Sequence, residues 1–464
     1  MALIKSISGI RGTIGGRAGE HLTPPDIVRF TAAFGQWLKE QSDATRVVVG
    51  RDGRISGPLV SELAIQTLLS LGLDVVDLGL STTPTVEMAV VDQRAAGGII
   101  ITASHNPRDW NALKLLNGAG EFISGEDGAS VLALADGSEV VFASVDRLGS
   151  RLPDSGSMQH HIKQVCNYPL VQAGRITERR FRVVVDAVNS TGAIFIPALL
   201  QALGVLATDI IVLNGEVNGQ FAHNPEPLPE HLQQLSAEVL RSNADLGIAV
   251  DPDVDRLVLV CEDGSMFGEE YTLVAVADYV LSHRSGDTVS NLSSSRALGD
   301  VTARYGGRYH AAAVGEVNVV RRMKEVGAVI GGEGNGGIIV PDLHYGRDTL
   351  IGIALILSHL ASTGKSLAQL RRTYPDYYIS KNRIEMPAGL DLSSVFDCLS
   401  ECYAHAPQNR EDGLRIEFEE GWVHLRTSNT EPIIRVIAEA RSETAARHIA
   451  DRFIDDIRDQ LNSA

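Results

Sequence analysis

Three alternating carboxylates form the part of the sequence best suited to chemistry. Asp251, Asp253 and Asp255 can converge on one hard cation, and a cation would offset their mutual repulsion. Carboxylate oxygens together with a phosphate are ligands that suit Mg²⁺. A solvated acidic turn is one alternative, and a calcium loop with Glu262 at its twelfth position is another. Because Arg256 stands at the sixth position, where a calcium loop requires glycine, we predict a magnesium site instead.

A serine that follows a predicted buried strand is the candidate nucleophile. The β-branched run at 97–101 predicts a strand inside a sheet, and the segment 102–107 (TASHNP) begins directly after it. Because Pro107 disfavours helix here, Ser104 is expected on an exposed loop, at the strand end where open α/β sheets bind ligands. By itself the segment is better explained as a polar turn. Lys114, ten residues on, is either an active-site amine or a solvated edge lysine.

Two further segments have the composition of anion sites. Near the C-terminus, a loop between two predicted strands combines hydroxyl and amide side chains with flanking guanidinium groups. Its candidate residues are Arg426, Ser428, Asn429, Thr430 and Arg435. A polar hairpin tip is the alternative. Near the N-terminus, the glycine-rich turn 8–13 carries Arg11, which could bind an anion, and a plain turn is the equal alternative.

A glycine-rich segment at 331–337 carries two polar side chains, Glu333 and Asn335. Its glycines formally match a dinucleotide-binding fingerprint, but the apolar run 338–340 and Pro341 follow where that motif requires a helix. We therefore reject a nucleotide site. We expect Glu333 and Asn335 to hydrogen-bond the hydroxyl groups of a small polar ligand.

Composition restricts the function classes. The 464 residues are 44% hydrophobic and 21% charged, with a formal net charge of −17. An acidic chain without a basic cluster is a poor ligand for nucleic acid or for an anionic membrane. No apolar run approaches the roughly 20 residues that span a bilayer. The N-terminus lacks a signal pattern, and the four cysteines lack metal or redox spacing. We expect a cytoplasmic enzyme with neither nucleic acid nor membrane as partner.

Alternating strands and helices are predicted to position these residues. Thr23 as N-cap, Pro24 at the first position and Asp26 in the first turn predict a helix start. Apolar runs at 46–50 and 246–250 predict buried strands, and the second of them ends at the carboxylate triad. Repeated strand–helix cycles predict mostly parallel sheets with right-handed crossovers.

Together these motifs resemble the α-D-phosphohexomutase superfamily along the whole chain. The resemblance is carried, in order, by the segments 8–12, 102–107, 251–256, 332–337 and 426–432. Within the superfamily, the chain is most similar to archaeal-type phosphoglucosamine mutases and phosphomannomutase/phosphoglucomutases. The resemblance implies three related mixed or parallel α/β units and a smaller C-terminal α+β domain around a central cleft. The expected domains span 1–152, 153–257, 258–372 and 373–464.

The resemblance also implies a reaction. Ser104 would be phosphorylated at rest, pass its phosphoryl group to a hexose phosphate, and recover the other phosphate of the bisphosphate intermediate. Mg²⁺ bound by the three aspartates and a phosphoserine oxygen would neutralise a group that carries nearly two negative charges. The implied cofactors are Mg²⁺ and a hexose 1,6-bisphosphate, as intermediate and activator. The implied partner is a small-molecule phosphosugar, and the protein would be a monomer or homodimer.

Individual roles follow from the same resemblance. His105, Lys114 and Arg256 match active-site positions, with Lys114 the first candidate for proton transfer. The positions that match phosphate and sugar contacts are Arg11, Glu333, Asn335, Arg426, Ser428, Asn429, Thr430 and Arg435. Binding of the phosphate that does not react would supply the orientation that catalysis requires.

One position departs from the resemblance. Many relatives end the sugar loop with Ser-Gly-His, whose histidine is a proposed acid or base, whereas this chain has Gly337. Either Lys114 acts without that histidine or another group replaces it. His344 is one hypothesis, with a structural role as the alternative.

Several functions therefore stay open. By analogy we favour glucosamine phosphate as substrate, which makes the predicted enzyme a phosphoglucosamine mutase. A phosphomannomutase/phosphoglucomutase of broad specificity is the main alternative. A non-catalytic phosphosugar-binding regulator is disfavoured because the serine, the three aspartates and the phosphate loop are all present. A phosphatase is a third alternative, which closure of the C-terminal domain over the sugar would prevent.

Overall fold

The structure is a computed structural model that describes residues 3–6, 9–137, 140–154, 156–385, 392–427 and 433–463. The chain forms two compact units. The first comprises Met1–His283 and Asn335–Arg371, and the second comprises Arg284–Gly334 and Arg372–Ala464. Within the described residues, no helix has the length and apolar character needed to cross a membrane.

A seven-stranded mixed sheet begins the first unit. Its strands are β1 (Leu3–Ser6), β2 (Gly9–Thr13), β3 (Arg46–Arg51), β4 (Asp74–Leu80), β5 (Gly97–Ile101), β6 (Trp110–Leu116) and β7 (Arg151–Pro153), in the spatial order β1-β2-β6-β5-β3-β4-β7. The helices are α1 (Pro24–Gln41), α2 (Gly57–Ser70), α3 (Thr83–Asp92) and α4 (Gly125–Asp136), with a 3₁₀ turn at Val145–Arg147. β3 pairs in parallel with β4 and β5, whereas β6 runs antiparallel to β5. This pairing places the end of β5 beside the strand that carries Lys114.

The predicted start of the first helix is confirmed. α1 begins at Pro24, with Thr23 as its N-cap in extended conformation. The Asp26 carboxylate accepts hydrogen bonds from the backbone N–H of Thr23 at 3.3 Å and of Gly19 at 3.1 Å. Asp26 therefore fixes the entry of the chain into the helix as well as the N-terminal turn before it.

A second, four-stranded sheet contains the two strands that flank the carboxylate triad. Its strands are β8 (Val183–Asp186), β9 (Ile210–Leu213), β10 (Leu246–Val250) and β11 (Leu257–Cys261), in the order β11-β10-β8-β9. The helices are α5 (Ser157–Cys166), α6 (Ala173–Arg179), α7 (Gly192–Ala202), α8 (Gln233–Ser242) and α9 (Glu269–His283), with 3₁₀ turns at Ala207–Asp209 and Pro229–His231. β10 pairs in parallel with β8 and antiparallel with β11. The segment 251–256 therefore connects two antiparallel neighbours.

The second unit contains a parallel strand pattern and an antiparallel sheet. Strands β12 (Thr288–Asn291), β13 (Tyr309–Ala312) and β14 (Ile330–Glu333) accompany helices α10 (Ala297–Arg304) and α11 (Glu316–Val326), and β12 pairs in parallel with both other strands. The first unit resumes with β15 (Gly337–Ile339), α12 (Thr349–Thr363) and α13 (Leu367–Arg371). The last elements are β16 (Tyr378–Glu385), α14 (Leu392–Cys402), β17 (Gln408–Asn409), β18 (Leu414–Glu417), β19 (Gly421–Thr427), β20 (Ile433–Ala440) and α15 (Glu443–Ser463). The five strands among them form an antiparallel sheet in the order β16-β20-β19-β18-β17.

Candidate active site

The candidate nucleophile lies three residues beyond the end of β5, within hydrogen-bond distance of the carboxylate triad. Ser104 has a φ of +49°, a left-handed conformation that non-glycine residues seldom adopt. Its Oγ donates to Asp251 Oδ2 at 2.8 Å and lies 3.3 Å from His105 Nδ1. The expectation of an exposed serine is wrong, because Ser104 is only 8% exposed. The loop reaches solvent only further on, at 107–109.

A buried arginine holds this serine loop. Arg54 is 1% exposed and its guanidinium donates to four backbone carbonyl oxygens of the loop. The acceptors are those of Ser104, Asn106, Pro107 and Trp110, at 2.6, 2.7, 2.7 and 2.9 Å. Arg54 Nε also donates to Asp52 Oδ2 at 3.0 Å, which neutralises its charge. These contacts offset the conformational cost at Ser104. The sequence analysis did not identify Arg54. The feature that could have indicated it is its place just after the predicted strand at 46–50, at a strand end where sites often form.

The three aspartates of the triad converge as predicted for a cation site. Asp251, Asp253 and Asp255 are all buried, and each offers a carboxylate oxygen within 4.8 Å of the others. Asp251 Oδ1 accepts from the backbone N–H groups of Asp255 and Arg256 at 3.1 and 3.2 Å. Burial, together with the two neighbouring carboxylates, raises the pKa of Asp251 well above its usual range. The turn therefore holds the three carboxylates so close together that ionisation of Asp251 is disfavoured, which a bound cation would reverse.

Asp253 and Asp255 each have one carboxylate oxygen, Oδ2, in contact with a cationic side chain, and a hydroxyl group also donates to that of Asp253. Lys114 Nζ donates to Asp253 Oδ2 at 2.7 Å and lies 3.6 Å from Asp255 Oδ2. Thr83 Oγ1 also donates to Asp253 Oδ2, at 2.6 Å. Burial would raise the pKa of Asp253, but the Lys114 ammonium holds it below its usual range. Likewise, burial would lower the pKa of Lys114, but Asp253 and Asp255 raise it. Lys114 is therefore held as an ammonium group beside the two carboxylates.

The donor set fits a hard divalent cation. The Oδ1 atoms of Asp253 and Asp255 are buried and accept no hydrogen bond, whereas their Oδ2 atoms accept from Lys114, Thr83 and Arg347. Asp255 Oδ1 has Arg256 Nε 4.0 Å away as an ionic neighbour. Buried carboxylate oxygens that accept no hydrogen bond are costly. An oxygen-only cluster with Ser104 beside it matches the preference of Mg²⁺ for a few carboxylates plus a phosphate.

Three guanidinium groups add positive charge next to the serine loop. The charges of Arg256, Arg11 and Arg347 all act on His105. Arg256 is the largest cause, with burial second, and together they hold the pKa of His105 well below its usual range. Burial, followed by the Arg256 charge, lowers the pKa of Arg11. His105 is consequently a neutral imidazole beside a cationic region that suits a phosphoryl group.

The space beside Gly337, where the resemblance leads us to expect a histidine, is occupied by the side chain of Arg347. A Cβ on Gly337 would lie 2.3 Å from Arg347 Cδ, so no larger residue fits there without movement. Asn335 Oδ1 accepts from the backbone N–H of Gly337 at 3.2 Å. Arg347 was not identified from the sequence.

His344 is held between carboxylates rather than presented to a ligand. Its Nδ1 lies 3.3 Å from Glu87 Oε2 and its Nε2 lies 3.3 Å from Asp348 Oδ2. Asp348 Oδ2 also lies 2.9 Å from His161 Nε2. A Cβ on Gly346 would lie 1.8 Å from Glu87 Oε2, so a larger residue there would displace this carboxylate from its present position. The geometry favours the structural alternative for His344.

Replacement of His344 by glutamine is expected to destabilise the protein in a pH-dependent manner. Burial alone would lower the pKa of His344, but hydrogen bonds and charges from Asp348 and Glu87 raise it to about 10. A histidine with a folded-state pKa above its unfolded value of about 6.5 stabilises fully below pH 6.5 and loses that contribution as pH approaches 10. We expect the variant to lose about 3 kcal/mol of unfolding free energy at pH 6, because buried carboxylates lose their cation. The loss should shrink toward pH 10.

Denaturant unfolding at pH 6, 8 and 10 measures this difference. His448→Gln, an exposed position on α15, is the matched control and should show little change at any pH. A gap between His344→Gln and the parent that stays constant with pH would contradict the ion-pair interpretation.

The remaining predicted residues belong to the second unit or lie outside the described residues. Glu333 Oε1 accepts from Asn291 Nδ2 at 2.9 Å and from the Gly315 N–H at 3.1 Å. Arg426 Nε lies 3.1 Å from Asp412 Oδ2, and Arg426 stands opposite the exposed Arg435 in the hairpin register. Ser428, Asn429 and Thr430 lie outside the described residues. Their roles stay predictions.

Four successive regions of the chain match one family. They match "Phosphoglucomutase/phosphomannomutase, alpha/beta/alpha domain I" at 3–139, domain II at 159–264, domain III at 268–378, and the C-terminal domain at 388–456. The expectation of three α/β domains followed by a C-terminal domain is confirmed. The exact boundaries that we expect between them stay predictions.

Similar proteins agree with this match. A probable phosphoglucosamine mutase from Methanopyrus kandleri is 34% identical over 456 residues, which cover 97% of each chain. A phosphoglucomutase/phosphomannomutase from Thermococcus kodakarensis is 35% identical over 457 residues, or 97% of this chain and 98% of the relative. A crystal structure of a phosphoglucomutase/phosphomannomutase family protein from Burkholderia thailandensis, 27% identical, gives a TM-score of 0.85 and covers 98% of this chain and 97% of that chain. The chain therefore belongs to the phosphoglucomutase/phosphomannomutase family and is a phosphohexomutase, an isomerase.

Proposed function

We propose that this phosphohexomutase interconverts glucosamine 6-phosphate and glucosamine 1-phosphate through a phosphoserine at Ser104. The observation that carries the proposal is the 2.8 Å hydrogen bond from Ser104 Oγ to Asp251 within the triad. This contact brings a hydroxyl group, a potential cation site and three guanidinium groups to one place. Such an arrangement suits transfer of a phosphoryl group to and from the serine.

The proposed steps use groups already in contact. A sugar hydroxyl oxygen bonds to phosphorus as the P–O bond to Ser104 breaks, so the hydroxyl loses a proton and Ser104 Oγ gains one. Lys114 is our candidate for this exchange, because its ammonium lies at the triad. The ammonium would give a proton to the released serine oxygen, and the amine so formed would take the proton of the sugar hydroxyl. When bound by Asp251, Asp253, Asp255 and the phosphoserine, Mg²⁺ would neutralise charge on the phosphoryl group. Arg256 and Arg11 would hold the same group, while Arg54 keeps the serine loop in place.

The second half of the reaction regenerates the enzyme. The hexose 1,6-bisphosphate turns over and gives its other phosphate to Ser104, so a trace of bisphosphate should activate enzyme that lacks phosphate. The predicted contacts to the sugar and its second phosphate are Glu333, Asn335, Arg426, Ser428, Asn429, Thr430 and Arg435. We place this activity in the cytoplasm, which agrees with four cysteines that form no disulfide.

The choice of sugar rests on relatives rather than on geometry. Names that include phosphoglucosamine mutase recur among the similar proteins, which supports glucosamine phosphate. The relative from Thermococcus kodakarensis supports a second candidate, a phosphoglucomutase/phosphomannomutase of broad specificity. Glucosamine, mannose and glucose 6-phosphates differ at C2, so the preference depends on contacts to the group on that carbon.

Phosphorus NMR with Mg²⁺ and a catalytic trace of hexose 1,6-bisphosphate tests the substrate. We expect kcat/KM for glucosamine 6-phosphate to exceed that for mannose or glucose 6-phosphate by about tenfold or more, since even one small contact in a pocket changes kcat/KM by about that factor. Comparable rates on mannose and glucose would establish the broad-specificity alternative. Absence of any 1-phosphate product would overturn the proposed activity.

A further inference from the structure

An arginine outside the motifs of the sequence occupies the space beside the cation site. The Cδ and Cγ atoms of Arg347 lie 2.3 and 3.1 Å from where a Cβ on Gly337 would stand. Gly337 begins strand β15 and its φ is not in the left-handed region, so its backbone conformation does not require glycine. Space is therefore the reason for glycine at this position. The methylene groups of Arg347 take the volume that a side chain at 337 would otherwise occupy.

The guanidinium of Arg347 ends on the third carboxylate of the triad. Its Nη2 donates to Asp255 Oδ2 at 2.6 Å, and Arg347 itself is only 7% exposed. Lys114 Nζ lies 3.6 Å from the same oxygen. Both cations thus act on Oδ2, whereas the buried Oδ1 accepts no hydrogen bond and has Arg256 Nε 4.0 Å away. A carboxylate held by one oxygen presents the other in a fixed direction.

The segment around Arg347 is itself fixed. The next residue, Asp348, donates its backbone N–H to Ile338 O at 2.8 Å and caps α12 through Oδ1, which accepts from Leu350 N at 2.8 Å. The Oδ2 atom of Asp348 lies near His161 and His344. Arg347 therefore projects from a segment anchored to a strand on one side and to a helix on the other. Little backbone entropy therefore remains to be lost when its side chain binds Asp255.

We propose that Arg347 is a positioning residue for the cation site: by packing over Gly337 and binding Asp255 Oδ2, it orients Asp255 Oδ1 toward the metal. The inference rests on the proposed function to the extent that Asp251, Asp253 and Asp255 bind a divalent cation. It adds a requirement that Gly337 and Arg347 act as a pair. A side chain at 337 displaces Arg347, and loss of Arg347 frees Asp255.

Mn²⁺ binding to the purified full-length protein, followed by EPR of free Mn²⁺, tests the inference without reference to turnover. Arg347→Ala should weaken Mn²⁺ affinity by about 10- to 100-fold, the range found for residues that orient metal ligands. Arg347→Lys should recover part of the loss, and millimolar guanidinium should partly rescue Arg347→Ala. Arg241→Ala is the matched control, since the Arg241 side chain is 76% exposed on α8. Its affinity should equal that of the parent.

A double-variant cycle tests the pairing of the two positions. Gly337→Ala should weaken Mn²⁺ binding about as much as Arg347→Ala, because it displaces the arginine. In the Arg347→Ala background, Gly337→Ala should have no further effect, which is strong non-additivity. Thermal unfolding without metal identifies any variant that fails to fold. If Arg347→Ala fails to fold, Mn²⁺ binding by Arg347→Lys and Gly337→Ala tests the inference instead.

Each outcome decides a different question. If the parent does not bind Mn²⁺, the proposed cation site fails and the inference fails with it. If the parent binds Mn²⁺ and folded Arg347→Ala or folded Gly337→Ala binds it equally well, the inference alone is overturned. Additive effects at Gly337 and Arg347 would also overturn it.

Discussion

Ser104→Ala is expected to abolish the mutase reaction, lowering kcat by at least about 10⁴-fold, because no other described hydroxyl occupies the place of the nucleophile. The backbone of the loop should survive this change. Arg54 binds the carbonyl oxygen of residue 104 and not its side chain, and the backbone N–H that donates to Thr102 Oγ1 is retained. The loss should therefore appear mainly in chemistry, with a smaller cost in stability because Asp251 Oδ2 loses the hydrogen bond from Ser104 Oγ.

Turnover, phosphate content and thermal unfolding together check this result. The parent should carry acid-stable phosphate on the peptide that contains Ser104, and the variant should carry none. Ser130→Ala, at an exposed position on α4, is the control and should match the parent in all three measurements. Turnover in Ser104→Ala comparable with that of the parent would exclude a phosphoserine mechanism.

Asp253→Asn is expected to produce the second-largest loss, through the metal. The substitution keeps the size of the side chain but removes one of three negative charges, and it replaces a carboxylate that has a buried, unpartnered Oδ1. Changes to residues around a metal ligand weaken binding 10- to 100-fold, so loss of a direct ligand should weaken Mn²⁺ affinity by at least about 100-fold. Turnover should fall correspondingly and depend more steeply on Mg²⁺ concentration.

Mn²⁺ titration and initial rates over a range of Mg²⁺ concentrations measure both effects. Asp146→Asn makes the same change of charge on an exposed 3₁₀ turn and should leave affinity and rate unaltered. Asp253 also binds Lys114 and Thr83, so the substitution could destabilise the fold as well as weaken metal binding. Unfolding measured in the presence of a chelator reports the effect on the metal-free fold alone. Parental Mn²⁺ affinity in a folded Asp253→Asn variant would exclude this carboxylate as a ligand.

Local patterns in the sequence determined the elements that carry the site. A β-branched run marked β5 and an apolar run marked β10, and the reactive motifs follow directly after both strands. The capping signal at Thr23 located the start of α1. These predictions succeed because strand propensity, helix caps and Asp-x-Asp-x-Asp spacing depend on neighbouring residues only. The same information indicated a cation site and a nucleophile, and the order of the motifs indicated the family.

The tertiary structure decided how these residues are held. Arg54 meets the carbonyl oxygen of a serine fifty positions away, and Arg347 meets Asp255 across ninety-two positions of sequence. Neither arginine lies in a periodic or motif context, so no local signal distinguishes it from a surface arginine. Ser104 proved to be buried for the same reason: its cover comes from distant segments. Gly337 was visible only as a departure from resemblance, and the side chain that requires it is brought there by the fold. Contacts over such separations depend on how the strands cross and pair, which residue type and spacing do not encode.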